Sequence, residues 1–367
     1  MHNAEQILTK QVTEGKTPSV QYTFFNDDRI VYNFSKGYAS VKDKIQAGPG
    51  TTFPIFSITK TFTALSILQL AEDNYINLDK PVCDYLPEIP VGKRVTVRHL
   101  LTHTSGLSNP LPMNWIHLKE EHPHFNRDRF FQSIILKSSH KTDTPGSRFR
   151  YSNLGYVILG QLIEAMNNIS FEDYIRENIL EDLELKHDVL DFDIPHTNLH
   201  AAGYHNIRSI SMLLLRILLN TTKYMGVASG KWKPFKIVYM NGTSYGGLIA
   251  NTRGIVKYAQ ELLKDESLLI SSENKKLLFT ENKTNDGKPT GMCLSWYKGI
   301  TGGQTYFTHA GGGGGYYCEL RLYPDIHSGS FIIFNRSGFS DERFLNHVDG
   351  EFLKDRSKQI LSSSVIS

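Results

Sequence analysis

The decapeptide FPIFSITKTF, residues 53–62, gives the first indication of an architecture. It opens a long helical pattern in which Phe62 and Leu70 belong to one apolar face. Ser57 and Lys60 stand three residues apart at the start of that helix, so their side chains share one face. The helix N-terminus also stabilises negative charge that develops beside it. Ser57 is therefore a candidate nucleophile, and Lys60 is its candidate proton acceptor or organiser.

The S-x-x-K spacing by itself is weak support, because the chain contains it three more times. The other copies are Ser138/Lys141, Ser272/Lys275 and Ser295/Lys298. Only the copy at Ser57 opens a long apolar helix. The context of the motif, more than the motif itself, favours Ser57.

A second candidate element is the triplet Tyr151-Ser152-Asn153, in the turn-rich segment TPGSRFRYSNLGY (144–156). The helical pattern YVILGQLIEAM follows it directly. An ammonium beside a tyrosine favours the phenolate, which suits Tyr151 to general-base work near neutral pH. The alternative is a packing tyrosine whose hydroxyl bonds to the backbone. Y-x-N also begins at Tyr75, Tyr204 and Tyr239.

The run THAGGGGGYYCELRLYP (308–324) places five glycines shortly after His309. A Walker phosphate loop needs Gly-Lys-Ser/Thr at its end, which is missing here. A dinucleotide fingerprint needs a helix to open after the glycines, whereas the following residues alternate like a strand. Strand patterns on both sides also argue against a flexible linker. We interpret the glycines as the end of a cleft strand, closely approached by another group, followed by a turn.

A competing nucleophile is Ser244, because Gly242-Thr243-Ser244-Tyr245-Gly246 fits the G-x-S-x-G elbow of α/β-hydrolases. His309 would then serve as its base. The elbow requires a helix that starts at the serine, and the glycines after Ser244 are expected to delay the next helix by several residues. The regular βαβ units that precede such an elbow are also missing, so this alternative is disfavoured.

The distribution of patterns along the chain indicates the fold class. Strand-like segments lie near both ends and helical segments lie between them. This arrangement predicts an α/β (α+β) fold, in which an antiparallel sheet from both chain ends is flanked by helices and carries an inserted, mainly helical lobe. We predict one domain over 1–355, with an α/β lobe at about 1–80 and 285–355, a helical lobe at about 81–284, and a loose tail at 356–367.

Composition excludes several classes of function. The net charge of +3 and the pI of about 8.5 are mild, and the charges are interspersed, which argues against a nucleic-acid partner. Three scattered cysteines without C-x-x-C spacing argue against a zinc site or a disulfide framework. We expect neither a metal nor a cofactor.

The apolar segments predict no membrane span. The N-terminal stretch looks like a short amphipathic helix rather than a signal peptide, so a cytoplasmic location is the default expectation. The most apolar run, ISMLLLRILL at 210–219, is too short and too interrupted to cross a bilayer. We predict a buried helix there.

Four stretches, taken in order, resemble the serine β-lactamase and penicillin-binding-protein superfamily. The resemblance is closest to the class C-like branch, which includes DD-carboxypeptidases, D-amino-acid peptidases and related esterases. The stretches are FSITK at 56–60, HLLTHTSGL at 99–107, PGSRFRYSNLGY at 145–156 and HAG at 309–311. GGLIANTRGIVKYAQ at 246–260 also resembles the helical lobe of that family, and the similarity spans about residues 20–345. S-x-x-K is a signature of penicillin-recognising enzymes.

The resemblance implies roles for individual residues. Ser57 would attack a carbonyl carbon and form an acyl-enzyme, with Lys60 and Tyr151 sharing the proton transfers. Asn153 would hold a substrate amide or bond to Lys60. His309 would line the cleft on the strand opposite the helix.

The resemblance also places the substrate and oxyanion group at Asn153, Gly311 and Gly312. The oxyanion hole would be formed by the backbone amides of Ser57 and Gly312. A side chain would block the close backbone approach, so a bulky residue at Gly312 is expected to reduce turnover more than folding. His103 is interpreted as a satisfied turn histidine without a chemical role.

One departure from the β-lactamases bears on the substrate. Those enzymes carry Lys-Thr-Gly where this chain has His309-Ala310-Gly311. An imidazole is mostly neutral at pH 7, so it anchors a substrate carboxylate less well and could relay a proton with Tyr151.

The sequence therefore predicts a serine hydrolase acting on D-alanyl-type peptides, amides or short-chain esters. A weak class C-like β-lactamase and a penicillin-binding sensor without turnover are the alternatives. The expected partner is a small molecule or short peptide, including β-lactams, and the oligomeric state is left open.

Overall fold

A seven-stranded antiparallel sheet, assembled from both ends of the chain, organises the computed structural model, which describes residues 2–110, 112–139, 143–338 and 343–363. The strand order is β11-β12-β13-β14-β1-β2-β3, so the predicted sheet and fold class are confirmed. The strands are β1 Ser19–Asn26, β2 Ile30–Ser40, β3 Ile45–Gln46, β4 Phe53–Pro54, β5 Ile116–Leu118, β6 Leu190–Asp191, β7 Tyr204–Asn206, β8 Trp232–Pro234, β9 Val238–Met240, β10 Ile249–Ala250, β11 Tyr297–Thr301, β12 Gln304–Gly313, β13 Tyr316–Tyr323 and β14 Ser328–Phe334.

Helices cover the sheet and form most of the middle of the chain. They are α1 His2–Thr13, α2 Thr59–Glu72, α3 Val97–Leu101, α4 Arg127–Ser139, α5 Asn153–Asn167, α6 Phe171–Ile175, α7 Ile210–Leu218, α8 Thr221–Tyr224, α9 Thr243–Gly246, α10 Thr252–Leu263, α11 Ser272–Leu278 and α12 Phe344–Ser363. Among the described residues, no helix combines the length and the apolarity needed to cross a bilayer.

Side-chain alternation along β1 builds a core on each face of the sheet. Tyr22 and Phe24 pack on one face with the terminal helices α1 and α12, whereas Phe25 faces the core that contains α2. Asp349 of α12 is fully buried and accepts hydrogen bonds from the hydroxyls of Tyr22 at 2.7 Å and Tyr323 at 2.5 Å. Burial raises the pKa of this carboxyl. Both ends of the chain are thus tied to the same sheet face.

Two helices extend across the predicted divisions of the chain, which stay predictions. Helix α12 continues to Ser363, into the segment 356–367 that we predicted as a loose tail; Lys, Arg, Gln and Leu in this segment favour helix continuation. Residues 364–367 lie outside the described residues. Helix α10 falls within the predicted helical lobe but packs against β1 and β14 of the sheet. Gln260 of α10 donates to the carbonyl of Asn26 at 2.8 Å.

The predicted helix at 210–219 forms, but the prediction that it is buried is wrong. Ile210 and Ile217 of α7 are 82% and 80% exposed, and Met212 is the one buried side chain of the helix. Helical periodicity fixes the spacing of an apolar stripe, but not the direction in which the stripe points.

Candidate active site

Ser57 lies at the junction between a short strand and a helix. A single 3₁₀ turn, Phe56–Ile58, connects β4 to α2 and holds Ser57 half-buried. Phe56, immediately before it, has a φ of +45°, a conformation that bulky side chains rarely adopt. Such strain is kept only where the surroundings enforce it, and it clusters at functional sites. The turn presents the Ser57 hydroxyl at the start of α2.

Lys60 is completely buried beside Ser57. Its Nζ lies 3.0 Å from Ser57 Oγ and donates to the carbonyl oxygen of Tyr245 at 2.7 Å. The rings of Tyr151, Tyr156 and Tyr245 stand 5.0 to 5.5 Å from the amine, which favours its charged form. The cost of taking an ammonium out of water is larger than that attraction. Burial therefore lowers the pKa of Lys60 well below its usual range.

Tyr151 completes the contact around the serine, since its hydroxyl donates to Ser57 Oγ at 2.8 Å. Burial raises the pKa of Tyr151, and the hydrogen bond to Ser57 opposes this only in part. We expected a phenolate favoured by the neighbouring ammonium, and this expectation is wrong for the resting site. Burial disfavours the charged form of both groups and so opposes the ion pair.

Asn153 is the first residue of α5, after the N-cap Ser152, whose hydroxyl accepts from the amide of Gly155 at 3.2 Å. The Asn153 side chain is largely buried, and its backbone amide donates to Asn109 Oδ1 at 3.0 Å. Among the hydrogen bonds of the described residues, none joins Asn153 to Lys60. Both predicted roles of Asn153 therefore stay predictions.

His309 lies on β12 and is 1% exposed. Its Nδ1 is 2.6 Å from the carbonyl oxygen of Ser295, so Nδ1 carries the proton and donates it. Burial lowers the pKa of His309 to about 3. The ring is thus neutral across the physiological range, as we expected. A hydrogen bond with Tyr151, which a proton relay would use, is not among those of the described residues.

His103 is the imidazole that packs against Tyr151, with ring centroids 4.3 Å apart. Its backbone is left-handed, with a φ of +55°, and its Nδ1 accepts from the amide of Ser152 at 3.2 Å. The interpretation as a turn histidine holds for Nδ1, but Nε2 is buried without a partner among the described residues. Burial lowers its pKa well below its usual range.

The glycines after His309 continue β12 to Gly313 and then turn into β13 through Gly314 and Gly315, as interpreted from the sequence. The tight position is Gly311, where a Cβ would lie 2.1 Å from the carbonyl oxygen of Ile55. At Gly312 a Cβ would meet its nearest atom at 3.6 Å, an ordinary contact. The close approach that we expected at Gly312 is therefore made by Gly311.

Gly311→Ala is expected to lower the free energy of unfolding by about 2 kcal/mol, because the methyl group forces apart β12 and the segment before Ser57. Urea unfolding followed by circular dichroism measures this. Gly312→Ala on the same strand is the matched control and should stay within ~0.5 kcal/mol of the parent. Equal losses in the two variants would contradict the packing described here.

The competing nucleophile Ser244 is placed in a structural role. A one-turn helix does begin at Thr243, contrary to the expected delay, but the Ser244 side chain is buried and donates to the carbonyl of Tyr156 at 2.9 Å. The neighbouring Tyr245 supplies the backbone oxygen that holds Lys60. The sequence could not predict this contact, because a backbone carbonyl oxygen such as that of Tyr245 is present in every residue type. The motif Gly242–Gly246 drew attention to the segment for a different reason, as a possible nucleophile elbow.

Comparisons with known proteins identify the family of the chain. The Beta-lactamase family model matches residues 4–354. Penicillin-binding protein 4* of Bacillus subtilis (strain 168) is 27% identical over 306 residues, which are 81% of this chain and 63% of that protein. The chain spans only 37% of another curated relative, protein flp of Staphylococcus aureus (strain MW2).

Two solved structures share the fold at low sequence identity. The octameric penicillin-binding protein homologue from Pyrococcus abyssi superimposes with a TM-score of 0.79 at 24% identity, covering 96% of this chain and 77% of that one. The D-amino acid amidase from Ochrobactrum anthropi SV3, complexed with L-phenylalanine, gives a TM-score of 0.72 at 19% identity, covering 99% of each chain. Since the family model also covers nearly the whole chain, this protein belongs to the Beta-lactamase family, whose relatives are serine hydrolases of the β-lactamase and penicillin-binding-protein type.

Proposed function

We propose that this protein is a serine hydrolase that forms an acyl-enzyme on Ser57 and acts on D-alanyl-type amides and peptides or on short-chain esters. The observation that carries the proposal is the position of Ser57 Oγ, 3.0 Å from Lys60 Nζ and 2.8 Å from the Tyr151 hydroxyl. The serine has a proton acceptor on one side and a proton donor on the other. The acceptor can activate the serine as a nucleophile, and the donor can protonate the leaving group.

Lys60 is the proposed base, because its Nζ lies 3.0 Å from Ser57 Oγ and burial lowers its pKa, which favours the neutral amine. Ser57 Oγ attacks the substrate carbonyl carbon while the hydroxyl proton moves to Lys60 Nζ. Tyr151 then donates its phenolic proton to the leaving group as the bond to that group breaks, leaving the acyl group on Ser57. The new ammonium, 5.0 Å from the Tyr151 ring, returns a proton to the phenolate. Attack by water on the acyl group reverses these transfers and releases the acid.

The developing negative charge on the carbonyl oxygen needs backbone donors. The amides of Ser57 and Gly312 are the proposed oxyanion donors, and Gly311 brings their two segments together through its contact with Ile55. Asn153, at the start of α5, is proposed to hold the substrate amide. The glycines thus serve the close approach of two backbones.

The neutral imidazole of His309 bears on the substrate class. Since its pKa is about 3, the third motif carries no positive charge for a substrate carboxylate at neutral pH. This favours neutral esters and amides over substrates that end in a free carboxylate, including β-lactams. A D-amino acid amidase shares the fold of this chain, which is compatible with an amide substrate but is evidence of the fold alone.

The experiment combines three substrates with detection of the covalent intermediate. The purified protein is incubated with p-nitrophenyl acetate, a D-Ala-D-Ala peptide and nitrocefin, and intact-mass spectrometry follows any adduct on Ser57. Turnover of the ester above the other two is the expected result. A stoichiometric adduct without turnover would replace the proposal by a penicillin-binding sensor, and dominant nitrocefin hydrolysis would replace it by a β-lactamase.

His309→Lys is expected to raise the ratio of kcat/KM for the D-Ala-D-Ala peptide to that for p-nitrophenyl acetate by about tenfold, because it adds a cation for the carboxylate. The ratio is measured by steady-state kinetics, with a thermal melt to verify folding. His309→Gln keeps a neutral polar side chain and is the control. An unchanged ratio in the folded lysine variant would contradict the role given to the neutral ring.

A further inference from the structure

Helix α7 presents an apolar stripe to solvent on the side opposite the core. Its most exposed large side chains recur at helical spacing: Ile210, Leu213, Leu214 and Ile217 are 82%, 61%, 58% and 80% exposed. At 100° per residue these four lie within about 100° of arc, and the buried Met212 lies on the opposite side. A helix in a globular protein normally turns such a stripe toward the core.

The helix is held in this orientation by polar contacts at its start. His205 Nδ1 lies 2.5 Å from Ser337 Oγ, and Ser209 Oγ donates to the carbonyl of Asn206 at 2.7 Å. Strand β7, just before the helix, pairs with β8 in an antiparallel register. The exposed stripe therefore belongs to an ordered part of the fold. Val227, in the segment leading to β8, is 90% exposed and adds to the apolar side chains available.

The stretch of sequence that carries α7 has charges of one sign. Residues 194–260 contain eight lysines and arginines and no aspartate or glutamate, while the whole chain carries only +3. Arg208, Arg216 and Lys236 are exposed in this segment. Lys223 is partly neutralised by Glu121 from another segment, at 2.7 Å. An apolar stripe bordered by cations fits a partner that offers an apolar layer beneath a negatively charged surface.

We propose that the α7 surface, defined as the exposed side chains of 207–218 with Val227, Arg208, Arg216 and Lys236, docks on a lipid bilayer that contains anionic headgroups. The apolar stripe enters the boundary between headgroups and acyl chains, and the three cations contact the headgroups. A second copy of this chain is a poorer occupant, because a two-fold contact would set these cations against the same cations of the other copy.

Strand β7, which leads into α7, contacts the turn at the end of β12. The amide of Tyr204, on β7, donates to the carbonyl of Gly315 at 3.0 Å, and Gly203 packs directly on that turn. The same glycine turn ends β12, the strand of His309 and Gly312.

Vesicle co-sedimentation tests the proposal with the full chain. Binding is measured on extruded vesicles of phosphatidylcholine alone and of an equal mixture of phosphatidylcholine and phosphatidylglycerol, at low and high salt. We expect at least about tenfold tighter binding to the anionic vesicles, weakened by salt. Equal binding to both vesicle types, or no binding to either, would overturn the proposal.

Two sets of variants separate the stripe from the cations. Ile210→Asp/Ile217→Asp should lose at least about tenfold in affinity for anionic vesicles, whereas Ile300→Asp, at a 72% exposed site on β11, should bind like the parent. Arg208→Gln, Arg216→Gln and Lys236→Gln should each weaken binding by about fivefold. Unchanged binding of the Ile210/Ile217 variant would overturn the proposal. The proposal would also be overturned if the parent protein did not bind vesicles but formed a dimer in light scattering that the Ile210/Ile217 variant disrupts. The α7 surface would then bind a second copy of the chain.

Discussion

Ser57→Ala is expected to lower kcat by at least about 10⁴-fold on every substrate that the protein turns over, because among the described residues only the Ser57 hydroxyl lies between an amine and a phenol. The change removes one half-buried oxygen, so the thermal melting temperature should stay close to that of the parent. Steady-state kinetics and intact-mass spectrometry measure the loss of turnover and of the acyl adduct together. This is the largest effect expected in the molecule.

Ser244→Ala is the matched control for this experiment. It removes the hydroxyl of the competing motif and one buried hydrogen bond to Tyr156, so a loss of about 1 kcal/mol in stability with activity retained is expected. If Ser57→Ala were as active as the parent and Ser244→Ala inactive, the assignment of the nucleophile would be reversed.

Lys60→Met should lower kcat by about 10³-fold, since it removes the proton acceptor and keeps the volume of the side chain. Lys298→Met, in the S-x-x-K copy at Ser295, is the control; Lys298 is 39% exposed and should be dispensable. Rates of ester hydrolysis measure both variants. Comparable losses in the two would show that the lysine of the Ser57 motif has no special part in proton transfer.

The pH dependence of stability tests the protonation state of Lys60 separately from activity. Its pKa is lowered in the folded protein and is about 10.4 when unfolded, so the unfolded chain binds the extra proton between those two values. The free energy of unfolding of the parent, relative to Lys60→Met, should therefore rise with pH by ~1.4 kcal/mol per unit up to about pH 10. Urea unfolding at several pH values measures the slope. A flat difference would mean that Lys60 stays charged.

The parts of the site that could be predicted from the sequence are those with local signatures. Ser57 and Lys60 share one helix face, and Tyr151 precedes another helix, so their positions followed from short patterns. The carbonyl of Tyr245, 185 residues from Lys60, left no such trace, because any residue type offers a backbone oxygen.

Burial explains the expectations that were wrong. The protonation of Tyr151 depends on how much water reaches the ring. The residues next to it in the sequence do not reveal how deeply the ring is buried. The periodicity of α7 gave its helix but could not tell a core-facing stripe from an outward one. At Gly311 and Gly312 the sequence offered two identical residues, and only the position of Ile55 distinguishes them.

The order of strands in the main sheet delays folding during synthesis on the ribosome. Strand β1 pairs with β14, and Ser19 is joined to Asn335 across a sequence separation of 316. At roughly 5–20 residues per second, the hairpin of β1 and β2 waits on the order of 15–60 s for its partner. During that interval the β1 edge is an apolar strand open to wrong pairing. The sheet can therefore be completed only late in synthesis, when β12 and β14 have been made. Until then the exposed edge of β1 is the kind of surface that chaperones protect.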